Sequence, residues 1–164
     1  MKKTLCILLT LALCLMGAAL AEVTLTNPWV ESTSAEIAEA VGTTFGIPEG
    51  TEDVAYSLMT EGNLAEMYFT LDGMEYVARI QPAEEFTDIS GLFYEWEAEG
   101  PFELAGMEGL ERRAVEDEET IDSVLWFDEP MGFMYSLFTS APDLDGFDIT
   151  PVAGAIYAQA EEAE

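Results

Sequence analysis

Residues 54–81, VAYSLMTEGNLAEMYFTLDGMEYVARIQ, decide the fold, because three alternating runs there share one register and one apolar face. Asp72-Gly73 separates two of the runs. A two-residue Asp-Gly loop between period-2 segments marks a type I′ hairpin, since both central residues need positive φ. With Leu71 opposite Met74, the pairs that follow are Phe69 with Tyr76, Met67 with Ala78 and Ala65 with Ile80, all apolar. A slip of one residue would turn each of these side chains to the wrong side of the sheet, so the pattern specifies its own register. On the reverse face Thr70 meets Glu75, Tyr68 meets Val77 and Glu66 meets Arg79. An exposed cross-strand ion pair of the last kind contributes under about 1 kcal/mol. Upstream, a Gly62-Asn63 turn with Glu61 opposite Leu64 aligns Thr60, Leu58, Tyr56 and Val54 with Ala65, Met67, Phe69 and Leu71. A third strand thereby joins the same face.

The chain before this region begins with an export signal. Lys2 and Lys3 form a positive n-region, Leu5 to Met16 an apolar stretch, and Ala19-Leu20-Ala21 an A-x-A site, so cleavage is expected after Ala21. The apolar stretch is short for a membrane span and runs straight into Glu22. Residues 1–21 therefore read as a signal peptide and 22–164 as one domain, secreted or held at the cell envelope without membrane insertion. Both cysteines, Cys6 and Cys14, leave with the signal, so stability must come from packing and not from disulfides.

Both lysines leave as well, which moves the net charge from −28 to −30 and sets Arg79, Arg112 and Arg113 against 33 acidic residues. Nucleic acid is excluded as a partner because phosphate binding needs clustered Lys and Arg. An anionic membrane surface is disfavoured on the same ground. Solubility outside the cell accounts for such a charge, and so does attraction to cations or to a basic partner.

Taken in order, Asn27-Pro28-Trp29-Val30 reads as a leading strand or arm, and Thr33-Ser34-Ala35-Glu36 is a capping box opening a short helix that Gly42 ends. Thr43 to Ile47 reads as a strand. Beyond the meander, Leu92 to Ala98 alternates as a strand, Gly100-Pro101 as its turn and Phe102 to Ala105 as the return. Leu110 to Val115 forms another run, followed by an acidic loop from Glu116 to Glu119. A final hairpin, Ile121 to Asp128 with Gly132 to Thr139, pairs Phe127 with Phe133 and Leu125 with Tyr135, leaving Trp126 against Met134 on the other face. Apolar groups on both faces imply a central position or a covered outer face. Thr150-Pro151 supplies an N-cap and N1 proline for a closing amphipathic helix through Ile156, Tyr157 and Ala160. The expected architecture is α+β: an antiparallel β-meander sheet of about seven or eight strands, with a short N-terminal helix and a C-terminal amphipathic helix packed on one face.

An export signal, NPWVE, a short helix, a strand ending in IPEG, the run Met67 to Arg79 with its LDGMEYVAR core and Asp88-Ile89-Ser90-Gly91 leading into an aromatic strand are followed by a Trp126-bearing strand, Tyr135-Ser136-Leu137 and a closing helix. In this order they resemble a family of small exported domains of Gram-positive bacteria that has no established function. Similar modules also resemble the extracellular part of some membrane-anchored anti-sigma factors. The resemblance spans nearly the whole exported chain, rests on structural motifs and assigns no functional residue.

Without His, Cys or Lys after the signal, Ser-His-Asp and Cys-His machinery, Schiff bases, the usual zinc sites and P-loops are excluded. Carboxylates remain. Glu95, Glu97 and Glu99 project from one face of a strand, with neighbours spaced about 6.5 to 7 Å apart along it, which overlaps the separation in inverting glycosidases. Asp143, Asp145 and Asp148 around Gly146 are the best calcium candidates, although Phe147 and Gly154 stand where an EF-hand needs ligands. Trp29, Phe93, Trp96 and Trp126 offer an aromatic groove or, more simply, core. The expectation is a non-catalytic exported domain without a cofactor, binding an unidentified protein or envelope ligand through the face carrying Trp126 and Met134. A Ca²⁺-stabilised structural domain is the alternative, and a carboxylate-dependent glycoside hydrolase a third reading.

Overall fold

A computed structural model describes residues 27–161 apart from 60 and 62. The expected signal peptide, Gly62 of the expected turn and the last tail residues lie outside the described residues. The strands are β1 (Trp29–Ser32), β2 (Glu52–Met59), β3 (Leu64–Leu71), β4 (Met74–Pro82), β5 (Ala98–Leu104), β6 (Met107–Glu116), β7 (Glu119–Asp128) and β8 (Phe133–Ala141). The helices are α1 (Ser34–Val41) and α2 (Thr150–Glu161). All eight strands form one antiparallel sheet in the order β1-β2-β3-β4-β8-β7-β6-β5. Two four-stranded meanders thus meet where β4 pairs with β8.

The β3–β4 hairpin has the register its sequence dictates, from Leu71 opposite Met74 to Ala65 opposite Ile80. Asp72 and Gly73 take φ of 52° and 79°, as a type I′ turn requires. Phe69 and Tyr76 stack across the pair with ring centroids 5.1 Å apart. β2 joins the same face two residues out of the expected register: Leu58 faces Ala65 and Tyr56 faces Met67. An even shift preserves which side chains face the core, so the apolar pattern alone does not detect it. A bulge between Glu52 and Ala55, with Asp53 at φ 52°, then bends the strand.

One face of the sheet carries the main core. Met67, Phe69, Tyr76, Ile80, Trp126 and Leu137 are buried there with Ile37 of α1 and Ile156 of α2. α1 opens with the predicted capping box, in which the Thr33 side chain accepts from the Glu36 N–H and the Glu36 carboxylate accepts from the Thr33 N–H, and it ends on Gly42 at φ 96°. α2 begins at Thr150, with Asp148 Oδ1 accepting the Thr150 N–H at 2.9 Å, so the capping side chain is Asp148 and not Thr150. The segment expected as a strand at Thr43 to Ile47 is irregular: it runs between the helices, with Phe45 buried and the Gly46 N–H donating to the Ile156 carbonyl at 2.8 Å.

Residues 83–97 link β4, in the middle of the sheet, to β5 at its far edge, and therefore cross the face opposite the helices over β8, β7 and β6. Leu92 to Trp96 alternates between half-buried and exposed but pairs with no strand, which overturns the expected strand there. Period-2 alternation records an extended chain; it does not supply a ladder partner. Gly100-Pro101 is likewise inside β5, not a turn. A proline is tolerated because β5 is an edge strand with one side unpaired. The turn is Ala105-Gly106, with φ of 51° and 84°.

Two arginines fasten the crossing segment. Arg79 donates from Nε and Nη2 to Glu66 Oε2 at 2.9 and 2.7 Å, and from Nη1 to the Ile89 carbonyl at 3.3 Å and to the Ser90 carbonyl. Arg112 donates to Asp88 Oδ2 at 2.7 Å and to Ser90 Oγ at 3.1 Å, with its guanidinium carbon 4.2 Å from the Trp96 ring centroid. Between them Ile89 packs on Leu125 and Met134. The Glu66–Arg79 pair is mostly buried, so the expectation of an exposed pair is corrected: the crossing segment covers it.

The β7–β8 hairpin pairs Trp126 with Tyr135 and Phe127 with Met134, one residue away from the expected register. Asp128 Oδ1 accepts the Met131 N–H at 3.1 Å and the Asp128 carbonyl accepts the Gly132 N–H at 2.8 Å, which makes the loop residues 129–132. The hairpin is central, and the segment over it covers its second apolar face, as two-sided apolarity implied.

Candidate binding cleft

This register decides what becomes of the expected binding face. Trp126 lies in the main core, whereas Met134 faces the crossing segment, and both are 0% exposed. The surface expected to carry both is therefore absent in that form: a one-residue shift puts them on opposite faces, and each face is covered. Of the other aromatic candidates, Trp29 lies 5.4 Å from the Arg79 guanidinium carbon, Trp96 packs on Arg112, and Phe93 is 96% exposed. They do not line one groove together.

The acidic candidates also separate. Asp143 Oδ1 accepts the Asp145 N–H at 2.8 Å, forming a local turn, and Asp148 caps α2. Among the described residues no group of three or more His, Cys, Asp or Glu side chains is placed to hold a metal ion. Glu95 and Glu97 belong to the crossing segment and Glu99 to β5, opposite Arg112, so no ladder of the three exists. The carboxyl with a raised pKa is instead Glu111, on β6. Burial pushes it above the usual glutamate value of 4.5, the charges of Asp122 and Asp148 add to the rise, and Arg113 opposes it. Asp122, fully buried, accepts from Arg113 at 2.8 Å.

A cleft of about 770 Å³ opens at one end of the sheet. Four pieces of chain build it: the Ala105-Gly106 turn, the β7–β8 loop with Glu129, Pro130 and Met131, Phe86 of the crossing segment and Tyr157 of α2. Asp128 ties these walls together. It is 3% exposed, holds the loop as described above, and accepts the Tyr157 hydroxyl at 2.8 Å through Oδ2. The Ala83 N–H donates to the Gly132 carbonyl at 2.9 Å, which fixes the start of the crossing segment beside the loop.

Behind the cleft runs a column of rings. Tyr157 meets Tyr135 edge-on with centroids 5.7 Å apart, Tyr135 stacks on Trp126 at 5.1 Å, and Trp126 lies 6.0 Å from Phe102. Gly109 makes room for that column. A Cβ there would lie 2.2 Å from the Leu125 carbonyl oxygen and 3.0 Å from the Phe102 ring. Phe86 and Met131 are 45% and 53% exposed at the mouth, and the acidic side chains beside them are Glu108 and Glu129. Sequence reasoning did not single out these residues. The available signals were an apolar residue stranded in the polar run Ala83-Glu84-Glu85-Phe86-Thr87 and a methionine in a turn.

No protein-family model, curated protein or solved structure matches this chain. Among the described residues no helix is long and apolar enough to cross a membrane.

Proposed function

We propose that this chain is a non-catalytic exported domain that binds a protein or envelope ligand, and that the cleft at the end of the sheet is where it binds. The supporting observation is a pair of large apolar side chains, Phe86 and Met131, both exposed and both lining one open concavity. Exposed apolar groups gathered around a concave site are the usual mark of a binding surface. The walls are fixed by Asp128 and by the Ala83–Gly132 hydrogen bond, so little ordering entropy opposes an incoming ligand. Export rests on the signal sequence, and the resemblance to exported envelope domains agrees with it.

Site-specific photo-crosslinking in intact cells tests the proposal. A photoreactive phenylalanine analogue replaces Phe86 or Met131, with Val30 and Phe93 as exposed apolar controls at 56% and 96%. Adducts concentrated at positions 86 and 131 are expected. Labelling spread evenly over all four positions, or none at 86 and 131, overturns it.

A further inference from the structure

We infer that the occupant of this cleft is a basic polypeptide segment with an apolar anchor residue flanked by Lys or Arg; this rests on the cleft being the binding surface. Charge complementarity carries the argument. Glu108 and Glu129 are exposed beside the apolar mouth. Each described arginine is paired elsewhere, Arg79 with Glu66, Arg112 with Asp88 and Arg113 with Asp122. The rim carboxylates therefore have no arginine to answer them.

One of them is also placed against the fold's own interest. Glu108 stands directly opposite Glu103 in the β5–β6 ladder. Like charges directly opposite each other destabilise a sheet. A ligand bringing positive charge to this rim removes that repulsion on binding, whereas a neutral or acidic ligand leaves it or worsens it. The apolar part of the same ligand packs against Phe86 and Met131, which line the cleft.

The test uses the purified domain and three synthetic peptides: one with a central Phe flanked by Lys, the same peptide with Glu for Lys, and the same with Ser for Phe. Binding is followed by fluorescence anisotropy. E108Q/E129Q is compared with E31Q/E39Q, which removes two exposed carboxylates from β1 and α1, and with F86S/M131S; thermal melts confirm that each variant folds. We expect the Lys–Phe peptide alone to bind, E108Q/E129Q to weaken it about five- to tenfold, F86S/M131S to weaken it similarly, and E31Q/E39Q to change it less than about twofold. If E108Q/E129Q binds as well as the parent, or the Glu–Phe peptide binds equally, while F86S/M131S still loses binding, the basic occupant is wrong and the cleft remains the binding surface. If E31Q/E39Q weakens binding as much as the cleft variants, or no peptide binds, both readings fall.

Discussion

Two residues show how a single side chain is constrained here. Gly109 sits under the Phe102–Trp126 pair where no Cβ fits. Gly109→Ala should lower stability by about 1–3 kcal/mol, the usual range for overpacking, read as a lower urea midpoint with intrinsic tryptophan fluorescence as the probe. Glu111 faces fully buried Val124 across the β6–β7 ladder and shares its surroundings with Asp122 and Asp148. Its folded pKa lies above its unfolded value, so the fold bears no penalty while the group is protonated and the full penalty once pH rises past the folded value. Glu111→Gln should therefore raise Tm at neutral pH. That gain should disappear in melts run well below the reference value of 4.5.

At the scale of elements, the crossing segment is held by side chains and not by a ladder. Ile89→Ala removes its one deeply seated apolar contact and should cost about 2 kcal/mol, the lower end for such truncations. The discriminating readout is hydrogen exchange. The N–H groups of Ser90 and Leu92, bonded to Asp88 and Ser90 side chains, should lose protection while β3 and β4 keep theirs. Asp88 anchors the same segment. Burial works to raise its pKa, but hydrogen bonds from Arg112 and Ser90 and the Arg112 charge hold it below its ordinary 3.8. A depressed carboxylate stabilises the fold above its unfolded pKa and loses that contribution as pH falls through the folded value. The stability gap between the parent and Asp88→Asn should accordingly be full at neutral pH and close below 3.8, as urea titrations at several pH values would show.

Across the whole molecule, electrostatics amounts mainly to self-repulsion, with 33 acidic residues against five basic ones along the chain. Raising NaCl from low concentration to about 0.5 M should raise Tm by screening. Calcium and magnesium chloride at matched ionic strength should have equal effects, and a selective rise with calcium would restore a specific site for Asp143, Asp145 or Asp148. The sequence by itself determined the α+β class, the capping box of α1 and the β3–β4 register, because each follows from local geometry: a turn with two positive φ angles, a side chain reaching three residues, and a strand polar on one face. It did not determine the β7–β8 register, since a strand apolar on both faces reads the same after a one-residue shift, nor the path of residues 83–97, since an extended chain alternates with or without a partner. Only the tertiary structure decided these. The crossing of β8, β7 and β6 covers Met134, buries Arg112 and brings Phe86 beside Met131 and Tyr157, and contacts between segments so far apart in the chain leave no periodic trace in the residues that make them.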